Sequence, residues 1–469
     1  MDSSSATHLL SSPQQLVASG QLLAPQWLML PEGPRREHAV LIENGCFADV
    51  GPLALLQGRY PDHQVLRLDD QLLMPGFIDT HHHLSQSFGK GLVFGEPSEI
   101  FKRIWIPLEG SLDTDLLYLT SKLAAFESLR GGFTTVCDAG TRSREGVETI
   151  ARAVHEVGIR CVLAKTCNDL QGGQVLEAGA ILARAEQHLS EWDNDTLVTP
   201  SLAIPIPEIA TDSTLKAVYG LCHEAGRIFQ SHVNEHLVAV ERSLELYGVR
   251  PLEHLHRAGA LGPGALLAHA TLLTPNEICL LRDSGAAVSY NPVASAWKGN
   301  AVAQAHLMHC LGIPVGLGTD GTRGDGFRLL DYAEAAQRFA HGLPVGDSVC
   351  GSGKLWLDMG TRDAAQVLGL GKVTGQIAPG LAADFLLVDL AVPELLPSWN
   401  LTWDLVRLAN RDQIQAVVVQ GKVRLWQGWP TDWDARALMR QVDALARDVV
   451  SRAPIHKVHP LPSVLLRGE

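Results

Sequence analysis

Residues 72–83 read Leu-Leu-Met-Pro-Gly-Phe-Ile-Asp-Thr-His-His-His, an apolar run that turns polar at its end. The apolar part predicts a buried strand from about residue 73. Because successive side chains of an extended chain point to opposite sides, His81 and His83 can reach one ion while His82 points away. A histidine-rich loop, or core histidines satisfied by hydrogen bonds, explains the same three residues equally well. This stretch alone leaves a metal site and a structural role open.

Similar apolar runs recur downstream, separated by longer amphipathic stretches. In LLYLTSKLAAFESLRGG (116–132) apolar residues return every three or four positions, which indicates a helix that stops at a glycine pair. Nearly continuous apolar strands that alternate with helices predict a parallel sheet covered on both faces, and eight of them would close a (β/α)8 TIM barrel, here residues 73–374. The seven later strands are FTTVCDAG (133–140), RCVLAKT (160–166), TLVTPSLA (196–203), RIFQSHV (227–233), ALLAHA (265–270), AAVSYNP (286–292) and IPVGLGTD (313–320).

The two ends of the chain read as antiparallel strands. Residues 17–72 and 375–430 contain strand patterns joined by turn signals such as ENG and QGK. We expect them to form one small β-sandwich domain that flanks the barrel. Residues 431–469 are expected to contribute a closing amphipathic helix and a tail.

Composition narrows the class of protein. The net charge of −13 disfavours nucleic acid and anionic membranes as partners, since both would repel the average surface. The eight cysteines form no C-x-x-C pair, no apolar run reaches 18 residues, and no lysine or arginine precedes a hydrophobic run in the first twenty residues. These features predict a cytoplasmic protein. The G-x-G-x-x-G match at 316–321 closes the strand series, whereas a dinucleotide fingerprint belongs near the first strand, so we reject it.

Polar residues follow several of the predicted strands. The fifth strand ends in His232-Val-Asn-Glu235, the sixth ends in His269 and the eighth ends in Asp320. Taken singly, His269 could be a structural histidine and Asp320 a helix N-cap. These three strand ends and the first one, which carries His81, lie on the face where barrels build active sites, and together they predict a metal site there.

These motifs resemble the amidohydrolase superfamily. The resemblance rests on Met74-Pro75-Gly76-Phe77-Ile78-Asp79-x-His81-x-His83, His232-x-x-Glu235, His269 and Gly318-Thr319-Asp320-Gly321, which stand in the family's order. PGLAADFLLVD and VVVQGKV look like its closing motifs, so the resemblance spans about residues 17–430. Gln86 and the following GKG make the chain most similar to the branch of guanine, cytosine and adenosine-type deaminases and triazine hydrolases.

The resemblance implies a metal-dependent aminohydrolase. Its ion would be bound by His81, His83, His232 and Asp320, with Glu235, His269 and Asp320 as catalytic groups. The fourth strand has no lysine that could become a bridging ligand, which favours one ion, zinc first and iron as the alternative. Lys165 on the third strand is read as a structural or pocket residue.

The substrate implied is an amino-substituted nitrogen heterocycle: a purine, pyrimidine, pterin or aminotriazine. Gln86 suits the edge of an amidine, Trp105 would cover a flat ring or pack in the core, and His236 would reach the pocket or cap a loop. Residues 291–298 and 322–326 differ from the residues usual in the family, which leaves the identity of the substrate open. The candidate contacts are Gln86, Trp105, His236, Asn291, Arg323 and Asp325.

Two alternatives remain beside deamination. The same site could remove an alkylamine or chloride or cleave a cyclic amide, and some relatives of this superfamily are non-catalytic scaffolds. Relatives of this kind also suggest a homo-oligomer.

Overall fold

The N-terminal strands supply half of a mixed sheet. The computed structural model describes residues 12–96 and 99–458, so the first eleven residues and the end of the predicted tail lie outside it. A 3-10 helix at Pro13–Val17 comes first, and Leu53–Arg59 forms helix α1. The strands are β1 (Gln21–Leu30), β2 (Gly33–Arg35), β3 (His38–Glu43), β4 (Cys46–Pro52) and β5 (Gln64–Pro75).

The middle of the chain is a barrel of eight parallel strands. Neighbouring strands pair in parallel from the first barrel strand to the eighth, and Asp320 N donates to His81 O at 2.8 Å where the eighth meets the first. The predicted (β/α)8 barrel is therefore confirmed. In chain order, with a short hairpin (β9 and β10) after the third barrel strand, the strands are β6 (Phe77–His82), β7 (Phe133–Asp138), β8 (Arg160–Thr166), β9 (Leu170–Gln171), β10 (Gln174–Val175), β11 (Val198–Ala203), β12 (Phe229–Val233), β13 (Ala265–His269), β14 (Ala287–Tyr290) and β15 (Val315–Leu317).

Helices cover the outside of this barrel. One long helix, Thr114–Arg130, begins where the Asp113 side chain accepts Leu116 N at 2.9 Å and ends before Gly131. Because helices cover the strands, nearly every barrel-strand residue is buried. The helices are α2 (Ile106–Glu109), α3 (Thr114–Arg130), α4 (Glu148–Val157), α5 (Ala178–Glu191), α6 (Asp212–Glu224), α7 (Leu237–Tyr247), α8 (Pro251–Ala258), α9 (Pro275–Ser284), α10 (Pro292–Lys298), α11 (Ala305–Cys310), α12 (Gly326–Gln337), α13 (Leu343–Val345), α14 (Gly353–Met359) and α15 (Arg362–Val367).

The C-terminal strands complete the mixed sheet. They are β16 (Phe385–Asp389), β17 (Ile414–Val419), β18 (Lys422–Trp426) and β19 (Trp429–Pro430), with α16 (Leu401–Arg407) between the first two. Strand β16 pairs antiparallel with β5, which runs parallel to β1. The sheet folds back on itself, because Cys46 at its far edge bridges to Ala382 just before β16. The sandwich predicted from both ends is thus one curled sheet.

The chain then closes with helix α17 (Ala435–Arg452), where the sequence predicts one. Its Leu438 and Val442 pack with Leu119 of α3 on the outside of the barrel. Within the described residues no helix has both the length and the apolar character needed to cross a membrane. The domain boundaries themselves stay a prediction, since β5 runs through residue 72 without interruption.

Candidate active site

The first barrel strand brings two histidines to one carboxylate. His81 Nε2 and His83 Nε2 each lie 3.3 Å from Asp320 Oδ1. His82 faces the other way, where its Nε2 lies 3.4 Å from Ser128 Oγ of α3. The alternation of side chains along an extended strand therefore operates as the sequence suggested.

Two more imidazoles join this cluster from β12 and β13. His232 Nε2 lies 3.4 Å from His83 Nε2, and the His81 and His269 rings are 5.4 Å apart between centroids. One ligand atom from each of His81, His232, His269 and Asp320 falls within 4.8 Å of the others. The strand ends named from the sequence thus meet at one point.

The donor atoms fit a divalent ion. The Nε2 atoms of His81 and His269 are buried without a hydrogen-bond partner among the described residues, which is costly unless something else binds them. His232 Nδ1 lies 2.7 Å from Pro205 O, which leaves Nε2 for the cluster. Burial lowers the pKa of His232 and His83, so their rings are neutral, as ligands must be. Imidazole and carboxylate suit zinc and iron alike.

Backbone and buried hydrogen bonds hold these residues in place. Asp79 accepts Thr319 N at 2.9 Å and Thr319 Oγ1 at 2.5 Å, which ties β6 to the loop that carries Asp320. His269 and Asp320 have φ values of 73° and 56°, a left-handed conformation that costs free energy in residues with a side chain. The fold therefore holds both residues in strained backbone at the barrel rim.

A lysine that the sequence reading did not single out stands among the acids. Lys298 Nζ lies 2.9 Å from Glu235 Oε1 and 2.5 Å from Asp320 Oδ2, and its side chain is 18% exposed. Burial by itself would raise the pKa of Glu235, but the charge of Lys298 lowers it overall. In the sequence its only signal is a cation in the stretch 291–298, whose residues differ from those usual in the family; in the structure Lys298 is the last residue of α10.

A cavity, about 1240 Å³ when the solvent at its open mouth is included, lies above the histidine cluster. Gln86, Trp105 and His236 line it, and His236 also caps α7 by accepting Ala239 N at 3.1 Å. Glu235 and Lys298 lie in the same wall.

The other candidate contacts lie outside the lining of this cavity. Asn291 Nδ2 sits 3.4 Å from His269 Nδ1, behind that ring. Asp325 caps α12 by accepting Arg328 N at 3.2 Å, and Arg323 lies 3.8 Å from Asp325 at the surface. Lys165 is also absent from the lining.

Ion pairs that the sequence reading missed surround the outer part of the cavity. Arg242 Nη1 lies 2.9 Å from Glu99 Oε1, and Arg242 Nε lies 3.6 Å from Glu208 Oε1. On another wall Arg142 Nη1 contacts Glu109 Oε2 at 2.8 Å. No local motif marks these residues, because each pair joins segments far apart in the chain.

Comparison with known proteins agrees with this geometry. The model of the amidohydrolase family matches residues 72–424. A 5-methylthioadenosine/S-adenosylhomocysteine deaminase of Nitratidesulfovibrio vulgaris is 27% identical over 420 residues, covering 89% of this chain and 94% of that protein. The Moorella thermoacetica protein of the same name is 28% identical over 400 residues, covering 84% and 91%.

Solved structures agree as well. An adenosine deaminase from Xanthomonas campestris with bound zinc superimposes with a TM-score of 0.84 at 25% identity, covering 92% of this chain and 99% of that one. These matches confirm the predicted enzyme class, a hydrolytic deaminase. The chain belongs to the amidohydrolase family.

Proposed function

We propose that this protein is a metal-dependent aminohydrolase that replaces the amino group of a nitrogen heterocycle by oxygen and releases ammonia. One observation supports the proposal above the rest. Glu235 and Asp320, two acids, lie 3.9 and 4.0 Å from His269 Nε2 at the floor of a cavity large enough for a heterocycle.

His81, His83, His232 and Asp320 would hold the ion, zinc first and iron as the alternative. When bound, the ion would make a water molecule nucleophilic at neutral pH. The two carboxylate oxygens of Asp320 face different groups. Oδ1 faces His81 and His83, and Oδ2 faces His269 and Lys298. That division suits one oxygen for binding and one for proton transfer.

The side chains around this point supply the proton transfers. Glu235, which the charge of Lys298 keeps ionised, takes one proton from the attacking water and delivers it to the ring nitrogen beside the amino carbon, which makes that carbon electrophilic. His269 donates a hydrogen bond to the oxygen that attacks the carbon. Asp320 takes the other proton of the water and passes it to the amine, so the water oxygen stays on the ring as a carbonyl, the C–N bond breaks and ammonia leaves. Each proton transfer is typically worth about 10²–10⁴-fold in rate.

The substrate range to examine follows from the relatives and the cavity. Proteins 27–28% identical to this chain are named for 5-methylthioadenosine and S-adenosylhomocysteine, so aminopurine nucleosides belong in the set. Aminopyrimidines, aminopterins and aminotriazines complete it. Gln86 would contact the ring edge, Trp105 its face and His236 a substituent.

An ammonia-release screen with the zinc-loaded protein tests the proposal. We expect ammonia from at least one aminoheterocycle, and loss of release both in the metal-stripped protein and in Asp320→Asn. Chloride or alkylamine release without ammonia would favour the alternative leaving groups. A chain that binds no transition metal and releases nothing would point to a scaffold and refute the proposal.

Two further predictions accompany it. We propose a cytoplasmic enzyme with no nucleic-acid or membrane partner, and a homo-oligomer. Size-exclusion chromatography with light scattering checks the second, and a monomer at micromolar concentration would contradict it.

A further inference from the structure

Lys298 carries more hydrogen-bonding capacity than its two carboxylate partners use. An ammonium group has three N–H donors, and Glu235 Oε1 and Asp320 Oδ2 accept two of them. Lys298 lines the cavity, so its third donor is available to a molecule bound there. Asn300 Nδ2, also in the cavity wall, lies 3.4 Å from the same Glu235 oxygen.

The charges at the site favour an electron-rich partner for this donor. The two carboxylates that contact Lys298, those of Glu235 and Asp320, together match the charge of one divalent cation. Lys298 then leaves the loaded site with an excess of positive charge. A buried cation is stabilised by a further acceptor and gains nothing from a C–H edge.

The position of Lys298 defines where on the bound ring that acceptor must lie. Lys298 Nζ is 2.9 Å from the carboxylate that serves the ring nitrogen, so its third donor reaches an atom next to that nitrogen. An oxygen on the adjacent ring carbon meets this condition. In an adenine ring the same carbon carries only hydrogen.

We propose that Lys298 is a specificity-determining residue that selects amino-oxo heterocycles, in which a ring carbonyl neighbours the nitrogen served by Glu235. The proposal rests on the proposed deaminase function and narrows its substrate class. Rings of this class include 4-amino-2-oxopyrimidines and 6-amino-2-oxopurines.

Matched substrate pairs that differ by one oxygen provide the test. With the zinc-loaded protein, kcat/KM is measured for cytosine against 4-aminopyrimidine and for isoguanine against adenine. Calorimetry gives the dissociation constant for any compound that is not turned over. We expect the wild-type protein to favour the oxo member of the productive pair by about 10- to 100-fold, the usual range for a hydrogen bond to a charged group.

Variants separate recognition from a structural role. Lys298→Met should remove most of that preference while metal content stays the same, and Lys298→Arg should restore part of it. Lys122→Met is the matched control, because Lys122 is similarly buried (13% exposed) and pairs with Glu156 on the outside of the barrel. It should leave the preference unchanged.

The inference fails if the wild-type protein deaminates adenosine or 5-methylthioadenosine as well as it does the oxo compounds. It fails equally if Lys298→Met slows both members of a pair alike, since Lys298 would then act only through Glu235 and Asp320. Ammonia release from no compound at all would refute the proposed function instead.

Discussion

At the scale of single residues, the role of each side chain in the site depends on the groups around it. His82 and His83 are adjacent in the chain, yet only His83 reaches Asp320, because the strand sends them to opposite faces. His269 was predicted as a catalytic neighbour and lies within the ligand cluster itself. The site therefore offers one imidazole more than the four proposed ligands require, and that ring is free to hydrogen-bond the reacting atoms.

Glu235→Gln tests the proton donor directly. Glutamine keeps the shape and the contacts with Lys298 and Asn300 but cannot deliver a proton, so turnover should fall by about 10²–10⁴-fold. Metal content, measured by plasma emission spectroscopy, should stay that of the wild-type protein. Undiminished ammonia release would remove Glu235 from the mechanism.

At the scale of elements, the segment that follows α17 supports the wall of the cavity. His456 N donates to Arg103 O at 2.9 Å, and Arg103 Nη1 donates to His456 O at 3.1 Å. Val458 N donates to Glu96 Oε2 at 3.0 Å, and Lys457 Nζ donates to Leu92 O at 2.7 Å. Because Glu96 lines the cavity, residues 453–458 hold part of the substrate-facing loop from outside.

Removing residues 453–469 should therefore loosen that wall. We expect KM to rise about 10-fold or more with a smaller change in kcat, because the loop positions the substrate and carries no reacting group. Metal content should be unchanged. A shorter truncation that removes only residues 459–469 retains all these contacts and serves as the control. Equal KM values in the two truncations would contradict a supporting role.

At the scale of the whole molecule, one buried ion pair joins the curled sheet to the barrel. Arg160 of β8 donates from Nε and Nη2 to Asp384 Oδ2 at 3.2 and 3.0 Å. Asp384 also accepts Gln420 N at 2.7 Å, and both charged side chains are nearly inaccessible. The pair lies beyond the reach of any local pattern, since its partners are 224 positions apart.

Asp384→Ala should lower the free energy of unfolding by about 3–5 kcal/mol, because it leaves Arg160 buried without a counter-charge. Chemical denaturation measures the loss. Asp448→Ala, which breaks the exposed pair with Arg452, should change stability by less than about 1 kcal/mol. Similar losses in the two variants would show that burial does not govern the first pair.

The same scale governs the response to acid. Burial lowers the pKa of His188, whose Nε2 donates to Leu163 O at 3.0 Å. A histidine with a depressed folded pKa stabilises the protein above its unfolded pKa of about 6.5, and this contribution is lost as the pH falls below that value. Unfolding at pH 7 and pH 5 should therefore show a smaller loss for His188→Gln than for the wild-type protein, by up to about 2 kcal/mol. An identical pH dependence would contradict this account.

The barrel, the closing helix and the strand ends that carry polar residues could be predicted from the sequence. These features are local, because strand and helix periods and the residues that end them are written within short stretches. His81, His232, His269 and Asp320 were found this way, since parallel strands bring their carboxyl ends to one face. Gln86 was suggested by the family resemblance, and Trp105 was left open between covering a ring and packing in the core; both line the cavity.

The side-chain contacts between those strand ends became visible only in the folded structure. Lys298 meets Glu235 and Asp320, Arg242 meets Glu99, and the C-terminal segment meets Glu96, in each case through contacts between distant segments. Such contacts depend on the paths of the loops and the lengths of the side chains, which no periodic sequence pattern predicts. The sequence could place metal-ligand chemistry at the barrel rim, whereas the groups that face a substrate became visible only when the loops were in place.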